Sequence, residues 1–252
     1  MKTVVHNIAT EYSDAGQGPV LLMLHGWKDS LNTFDDLVKR LPNYRIVRVD
    51  MPGFGGTEAP KDAWGVHDYV EFVRAFLEKV NVVPDVIVGH SFGGRVAIKG
   101  VGMGVLKPTK LILIASAGLA RRRTLKNHLF AGVAKGGRVL TSIPPFSFWQ
   151  NAIRRKLYDA LGSDYFRAGS LKDTFVKVVS EDLSEYASKI TIPTLLIWGR
   201  QDASTPLIQA EMIHDRIEDS QLDIVNGAGH FVHREQPENV AAFITQFLDK
   251  RT

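Results

Sequence analysis

Three residues far apart in the chain have side chains that together could make a nucleophile. They are Ser91 in Gly89-His90-Ser91-Phe92-Gly93-Gly94, Asp202 in Gly199-Arg200-Gln201-Asp202, and His230 in Gly227-Ala228-Gly229-His230. A serine hydroxyl is a weak nucleophile at neutral pH. It needs a base to take its proton, and the base needs an acid to orient it. The chemistry also needs two N–H donors for the oxyanion that forms when a carbonyl is attacked. The N–H of Phe92, next after the serine, is one candidate. The second is expected from His25-Gly26-Trp27, with Trp27 as donor; the alternative is that Trp27 only lines the pocket.

Holding these groups together requires a particular set of elements. Short aliphatic runs recur at Val20–Leu24, Val86–Val88, Leu111–Ala115, Thr194–Trp198 and Leu222–Val225, with an alternating stretch at Tyr44–Asp50. Runs of this kind suit strands buried on both faces, as in a parallel sheet covered by helices. Thr3–Ser13 reads as a further strand. Helical spacing fits Val66–Val80, with Tyr69, Val70, Val73, Phe76, Leu77 and Val80 on one face. Helices are also predicted from Phe92 to Val101, after a Ser204/Thr205 cap with Pro206 in the first turn, and from Pro237 onward. The serine, aspartate and histidine then all follow strands, at the sheet edge where α/β proteins bind ligands. In a sharp strand-to-helix turn at Ser91, the glycines at 89 and 93 avoid clashes, and Gly94 lets the helix approach the sheet.

The chain has 252 residues, 44% hydrophobic and 23% charged, with no cysteine. This is globular composition, and it excludes disulfides, thiolate metal sites and a cysteine nucleophile. No apolar run reaches the roughly 20 residues of a membrane span, and no signal peptide is read at the start, so a soluble cytoplasmic protein is expected. The net charge is +4 but uneven: Leu119 to Ala160 holds nine Lys/Arg and one acid, Asp159. A basic block is explained by a solvated insert, or by attraction of anionic substrates or a membrane surface. No motif accompanies it that would suggest nucleic acid. Regular alternation of elements stops at Gly118 and resumes near Ile190.

Other residues compete for the same roles. His25 and His90 flank the site and are candidates for structure or pocket lining. His233 lies three residues beyond His230. Asp182 and Asp223 are weaker candidates for the acid, the first in the insertion and the second within a strand.

These motifs resemble those of the α/β-hydrolase superfamily, in a serine-nucleophile, capped, esterase-like form. The resemblance rests on His25-Gly26-Trp27, Asp50-Met51-Pro52-Gly53-Phe54-Gly55, the Ser91 motif and the loops ending at Asp202 and His230. It spans nearly the whole chain. The order Ser…Asp…His agrees with it. It implies an α/β-hydrolase fold: a mostly parallel sheet flanked by helices, with a core from 1–117 and 191–252 and a helical cap insertion at 118–190. Ser116 stands where some relatives place their acid, which favours Asp202. The implied activity is cleavage of carboxylic esters through an acyl-serine, with Ser91, His230 and Asp202 as the triad and Phe92 and Trp27 as oxyanion donors. Phe130, Phe146 and Trp149 in the insertion could line an acyl pocket, as could His25 and His90. The expected partner is a small-molecule ester, without metal or organic cofactor. No oligomeric state is read from the sequence. Two alternatives stand: a carbon–carbon bond hydrolase of ring-fission products, and a ligand-binding receptor on a hydrolase frame. The first is disfavoured by His90 and Lys28-Asp29-Ser30, where such enzymes usually carry Asn and a Gly-Pro-Gly stretch. Aspartate-nucleophile chemistries are disfavoured by Ser91.

Overall fold

A computed structural model describes residues 1–119 and 169–250. The chain divides into two compact units, Met1–Ala120 with Lys177–Thr252, and Arg121–Val176. Phe130, Phe146, Trp149 and most of the insertion expected at 118–190 lie outside the described residues. The described part of the second unit is a 3-10 turn at Gly169–Leu171 and the start of a helix, Lys172–Ser180.

The first unit is built on one eight-stranded sheet. Its strands are β1 (Lys2–Val5), β2 (Ile8–Ala15), β3 (Val20–Leu24), β4 (Arg45–Val49), β5 (Val86–His90), β6 (Lys110–Ile114), β7 (Thr194–Gly199) and β8 (Ser220–Val225). Their order is β1-β2-β4-β3-β5-β6-β7-β8. The β1–β2 and β2–β4 pairs are antiparallel. Every pair from β4–β3 to β7–β8 is parallel. The helices are α1 (Asp35–Val38), α2 (Val66–Lys79), α3 (Phe92–Gly102), α4 (Lys172–Ser180), α5 (Ser184–Ala187), α6 (Leu207–His214), α7 (Val232–Glu235) and α8 (Pro237–Asp249).

Alternate residues of the central strands face opposite sides of the sheet. Leu21, Met23, Val88, Ile112, Ile114 and Ile197 share a core with Val240, Ile244 and Phe247 of α8. Their neighbours Leu22, Leu24, Ile87, Leu111, Leu113 and Leu196 are fully buried as well. Each such aliphatic side chain contributes about 1.5–3 kcal/mol by leaving water. That is why the runs form the sheet centre. β8 departs from the expectation of burial on both faces. It is an edge strand, and Ser220 to Ile224 are only half-buried.

Two local expectations are corrected. Thr3–Ser13 is a hairpin rather than one strand, with His6 and Asn7 at φ 48° and 62° forming its turn. Positive φ at both central residues gives the twist that a two-residue hairpin needs. Pro206 caps α6 instead of lying in its first turn, because its ψ of 151° is extended, and the Thr205 hydroxyl expected to cap the helix reaches Asp202 instead. Pro237 does open α8 at its first turn.

Candidate active site

The serine stands at the apex of the turn from β5 into α3, at φ 49° and ψ −106°. This region is costly for a residue with a side chain and persists only where the surroundings enforce it. Close packing enforces it here. A Cβ on Gly93 would lie 2.1 Å from the Leu24 carbonyl oxygen, and one on Gly89 would lie 2.7 Å from Gly94 Cα. A Cβ on Gly94 would meet Ser116 Oγ at 2.0 Å. The Ser91 carbonyl accepts from Ala117 N–H at 3.1 Å, and Ser91 N–H donates to Ile114 O at 3.1 Å. The end of β6 therefore braces the turn. Ser116 is part of that brace: it is fully buried and donates to the Ala117 carbonyl.

The structure brings the three distant residues together. Ser91 Oγ lies 3.0 Å from His230 Nε2, and His230 Nδ1 lies 2.8 Å from Asp202 Oδ2. The loops carrying Asp202 and His230 meet backbone to backbone. A Cβ on Gly199 would fall 2.2 Å from the Gly229 oxygen, and Gln201 N–H donates to the Ala228 carbonyl at 3.0 Å. On the far side Glu235 accepts from Gly229 N–H at 2.6 Å and from Phe231 N–H at 3.2 Å, holding both flanks of His230.

Asp202 has a dense set of donors. Ser204 and Thr205 N–H groups reach its Oδ1 at 2.8 and 2.9 Å, and the Thr205 hydroxyl reaches Oδ2 at 2.7 Å. Burial works to raise the Asp202 carboxyl. The hydrogen bond and charge of His230 and the two Thr205 donors outweigh it and hold its pKa below the ordinary carboxylate value. The acid is therefore ionised at neutral pH. Thr205 was legible only as a helix cap; its position three residues after Asp202 is the one available signal for this second role. Thr205→Val keeps the β-branched shape and removes the hydroxyl. Its expected effect on any Ser91-dependent turnover is a loss on the order of tenfold, as for one hydrogen bond to a charged group. Thr205→Ser restores the rate, and steady-state kinetics of the two variants check this.

The β3 loop is fastened beside the serine. Gly93 N–H donates to the His25 carbonyl at 3.0 Å. The His25 ring is fully buried, with Nδ1 2.7 Å from the Gly26 carbonyl and Nε2 accepting from Met51 N–H at 2.9 Å. These partners fix the proton on Nδ1. Burial lowers the His25 pKa, with the Gly26 carbonyl opposing. His25 thus ties the β3 loop to the β4 loop and does not line a pocket. Asp50 braces the same region, accepting from Leu31 N–H at 2.6 Å and Gly56 N–H at 2.8 Å. Phe54 packs edge-on to Trp27, with centroids 4.8 Å apart, and Trp27 in turn to Phe92 at 5.3 Å. Trp27 and Phe92 are neighbours, and Phe92 is the first residue of α3, where helical N–H groups have no partner within the helix.

His90 is likewise buried, at 1% exposure, rather than facing a pocket. His233 is fully buried, with Nε2 3.0 Å from Thr33 Oγ1. It faces the site's interior support, far from the role of base. Burial, with Arg234 and His230 nearby, pushes its pKa down to about 3. Among the described residues no group of three or more His, Cys, Asp or Glu side chains is arranged to hold a metal ion.

The depressed His233 pKa has a consequence for stability. The unfolded chain binds a proton at this residue below about pH 6.5, whereas the folded chain refuses it down to about pH 3. Stability at this group is therefore complete above the unfolded pKa and is lost as pH falls toward the folded one. By pH 4 the loss is about 3 kcal/mol. Denaturant unfolding at fixed pH values between 7 and 4 measures it. His233→Phe, which keeps a ring against Phe34, should lower the pH slope by about one proton.

The architecture agrees with comparison to known proteins. Residues 21–243 match the model of the Alpha/beta hydrolase family, and the chain belongs to that family. It is 28% identical to human monoacylglycerol lipase ABHD6 over 256 residues, covering 92% of this chain and 76% of that protein. The structure of a putative lipase from Acinetobacter baumannii AYE superposes with a TM-score of 0.76 at 23% identity, covering 98% of this chain and 90% of that one. A meta-cleavage product hydrolase from Pseudomonas fluorescens IP01 superposes at 0.74 with 20% identity, covering 99% and 97%. At these identities the two structures establish a shared fold. No helix among the described residues is long and apolar enough to cross a membrane.

Proposed function

We propose that the protein is a serine hydrolase that cleaves carboxylic esters through an acyl-serine. The observation that carries this reading is the unbroken line from Ser91 Oγ through His230 to Asp202, at 3.0 and 2.8 Å. Both spacings are hydrogen-bond distances that permit proton transfer.

In this reading His230 Nε2 takes the Ser91 proton as Oγ attacks the ester carbonyl. Asp202 keeps the other imidazole proton on Nδ1 and stabilises the imidazolium. The Phe92 and Trp27 N–H groups hold the tetrahedral oxyanion; losing one such donor costs on the order of 3 kcal/mol. His230 then protonates the departing alcohol oxygen. Water, deprotonated by His230, cleaves the acyl-serine, and the proton returns to Ser91. Phe130, Phe146 and Trp149 of the 118–190 insertion are proposed as residues that meet the acyl chain. The lipase name of the relative ABHD6 supports ester chemistry.

A fluorophosphonate probe should label Ser91, and p-nitrophenyl esters should turn over steadily. A single burst ending in a stable adduct would favour a receptor, and inertness to both reagents would remove the reading. A panel of esters, lactones, thioesters and ring-fission diketo acids, varied in acyl length, identifies the substrate class.

A further inference from the structure

His90 and the proposed base meet at the main chain. His90 Nε2 lies 3.1 Å from the His230 carbonyl oxygen. A carbonyl only accepts, so His90 carries its proton on Nε2 and donates. Its neutral state follows from burial, reinforced by His233 and His230 alongside, which together lower its pKa well below the ordinary histidine value. The ring packs against His233, whose centroid is 4.4 Å away, and His233 is itself anchored at Thr33.

We infer that His90 is a positioning residue for catalysis, setting the separation of nucleophile and base by gripping the main chain of His230. The residue adjoining Ser91 in sequence also holds the residue that must reach Ser91. The nucleophile turn and the base loop, 139 positions apart, are thereby joined by a short strut. Other contacts hold the base loop elsewhere: Gln201 N–H at the Ala228 carbonyl, Glu235 at the N–H groups flanking His230, and Asp202 at its ring. The carbonyl of His230 is gripped by His90. A neutral donor suits this place, because a second cation 5.0 Å from the His230 ring would oppose the imidazolium formed during turnover.

The inference rests on the ester-hydrolase reading, since it assigns His230 as base. Its test compares His90→Leu with His90→Gln. Both lose the ring packed against His233, but only the glutamine amide keeps an N–H near the original Nε2. His90→Leu should lower kcat by about 10- to 100-fold with KM nearly unchanged, as expected for a small misplacement of a catalytic group. His90→Gln should recover to within about fivefold of wild type, as for a retained hydrogen bond of slightly altered geometry. A second readout is independent of substrate: the low-field proton resonance of the His230 Nδ1–H bonded to Asp202. It should shift and broaden in His90→Leu and return in His90→Gln. Equal kcat and equal resonances in the two variants would overturn the inference, as would wild-type behaviour of His90→Leu. If His90→Leu does not fold, His90→Phe against His90→Gln makes the same comparison. Failure of ester turnover in the wild type would remove the function while leaving the resonance test intact.

Discussion

Ser91→Ala should abolish ester turnover, lowering kcat by about 10⁵-fold or more, while the protein stays folded. The size of the effect follows from the role of the hydroxyl: without Oγ no acyl-enzyme forms, and only the oxyanion donors and the binding surface remain. The preserved fold follows from the local geometry. The φ of 49° at this residue is imposed by the glycines that let β3, β5 and β6 close around the turn, and alanine places no further atoms there. The hydroxyl meets His230 Nε2, and that ring retains some exposure, at 16%, so water can replace the lost partner. The unfolding free energy should change by no more than a surface-like substitution allows, within about 0.5 kcal/mol. Steady-state kinetics and thermal unfolding of the same preparation check both halves. Wild-type turnover would show that another group attacks the substrate, and loss of the fold would show that the hydroxyl braces the turn.

What the sequence carried, and what it did not, divides along a physical line. The central strands were legible because burial on both faces demands near-continuous apolar residues, a signal confined to runs of three to five positions. The serine turn was legible because close approach leaves glycine as the one tolerable residue at 89, 93 and 94. Ser91, Asp202 and His230 could be singled out because strand ends collect at one edge of a parallel sheet. The supports of that site were not legible. His25 and His90 act through hydrogen bonds to main-chain carbonyls and N–H groups, which leave no residue spacing to recognise, so both read as pocket candidates. Glu235 holds its loop through the main chain in the same way. The turn at His6 and Asn7 lacks the glycine that usually marks a two-residue hairpin. The edge strand β8 was read by its four apolar-rich residues, when its place in the sheet order decided its exposure.

The second large effect separates two histidines three positions apart. His230→Ala should lower ester turnover by about 10⁴-fold or more, whereas His233→Ala should keep the greater part of it. Both are imidazoles at the same end of the sheet, and spacing alone assigns neither. Geometry separates them. His230 touches Ser91 and Asp202 through its two ring nitrogens, as a base must. His233 meets Thr33 and packs against Phe34 and His90, and a pKa of about 3 leaves it a poor proton acceptor at neutral pH. The costs should therefore fall in different currencies. His230→Ala removes a partly exposed ring and should unfold near the wild-type temperature. His233→Ala empties a fully buried ring-sized space and should cost about 2–4 kcal/mol of stability, in the range of large-to-small core substitutions. Measuring kcat and unfolding free energy for both variants gives four numbers with a crossed pattern: activity lost at 230, stability lost at 233. The reverse ranking in activity would move the base to His233 and end the assignment made for His230. A matched loss of activity at both positions would exceed the loss of about 10- to 100-fold expected for removing His90 itself, so it would not be explained by the packing of His233 on His90 and would overturn the assignment of His233 to a purely supporting place.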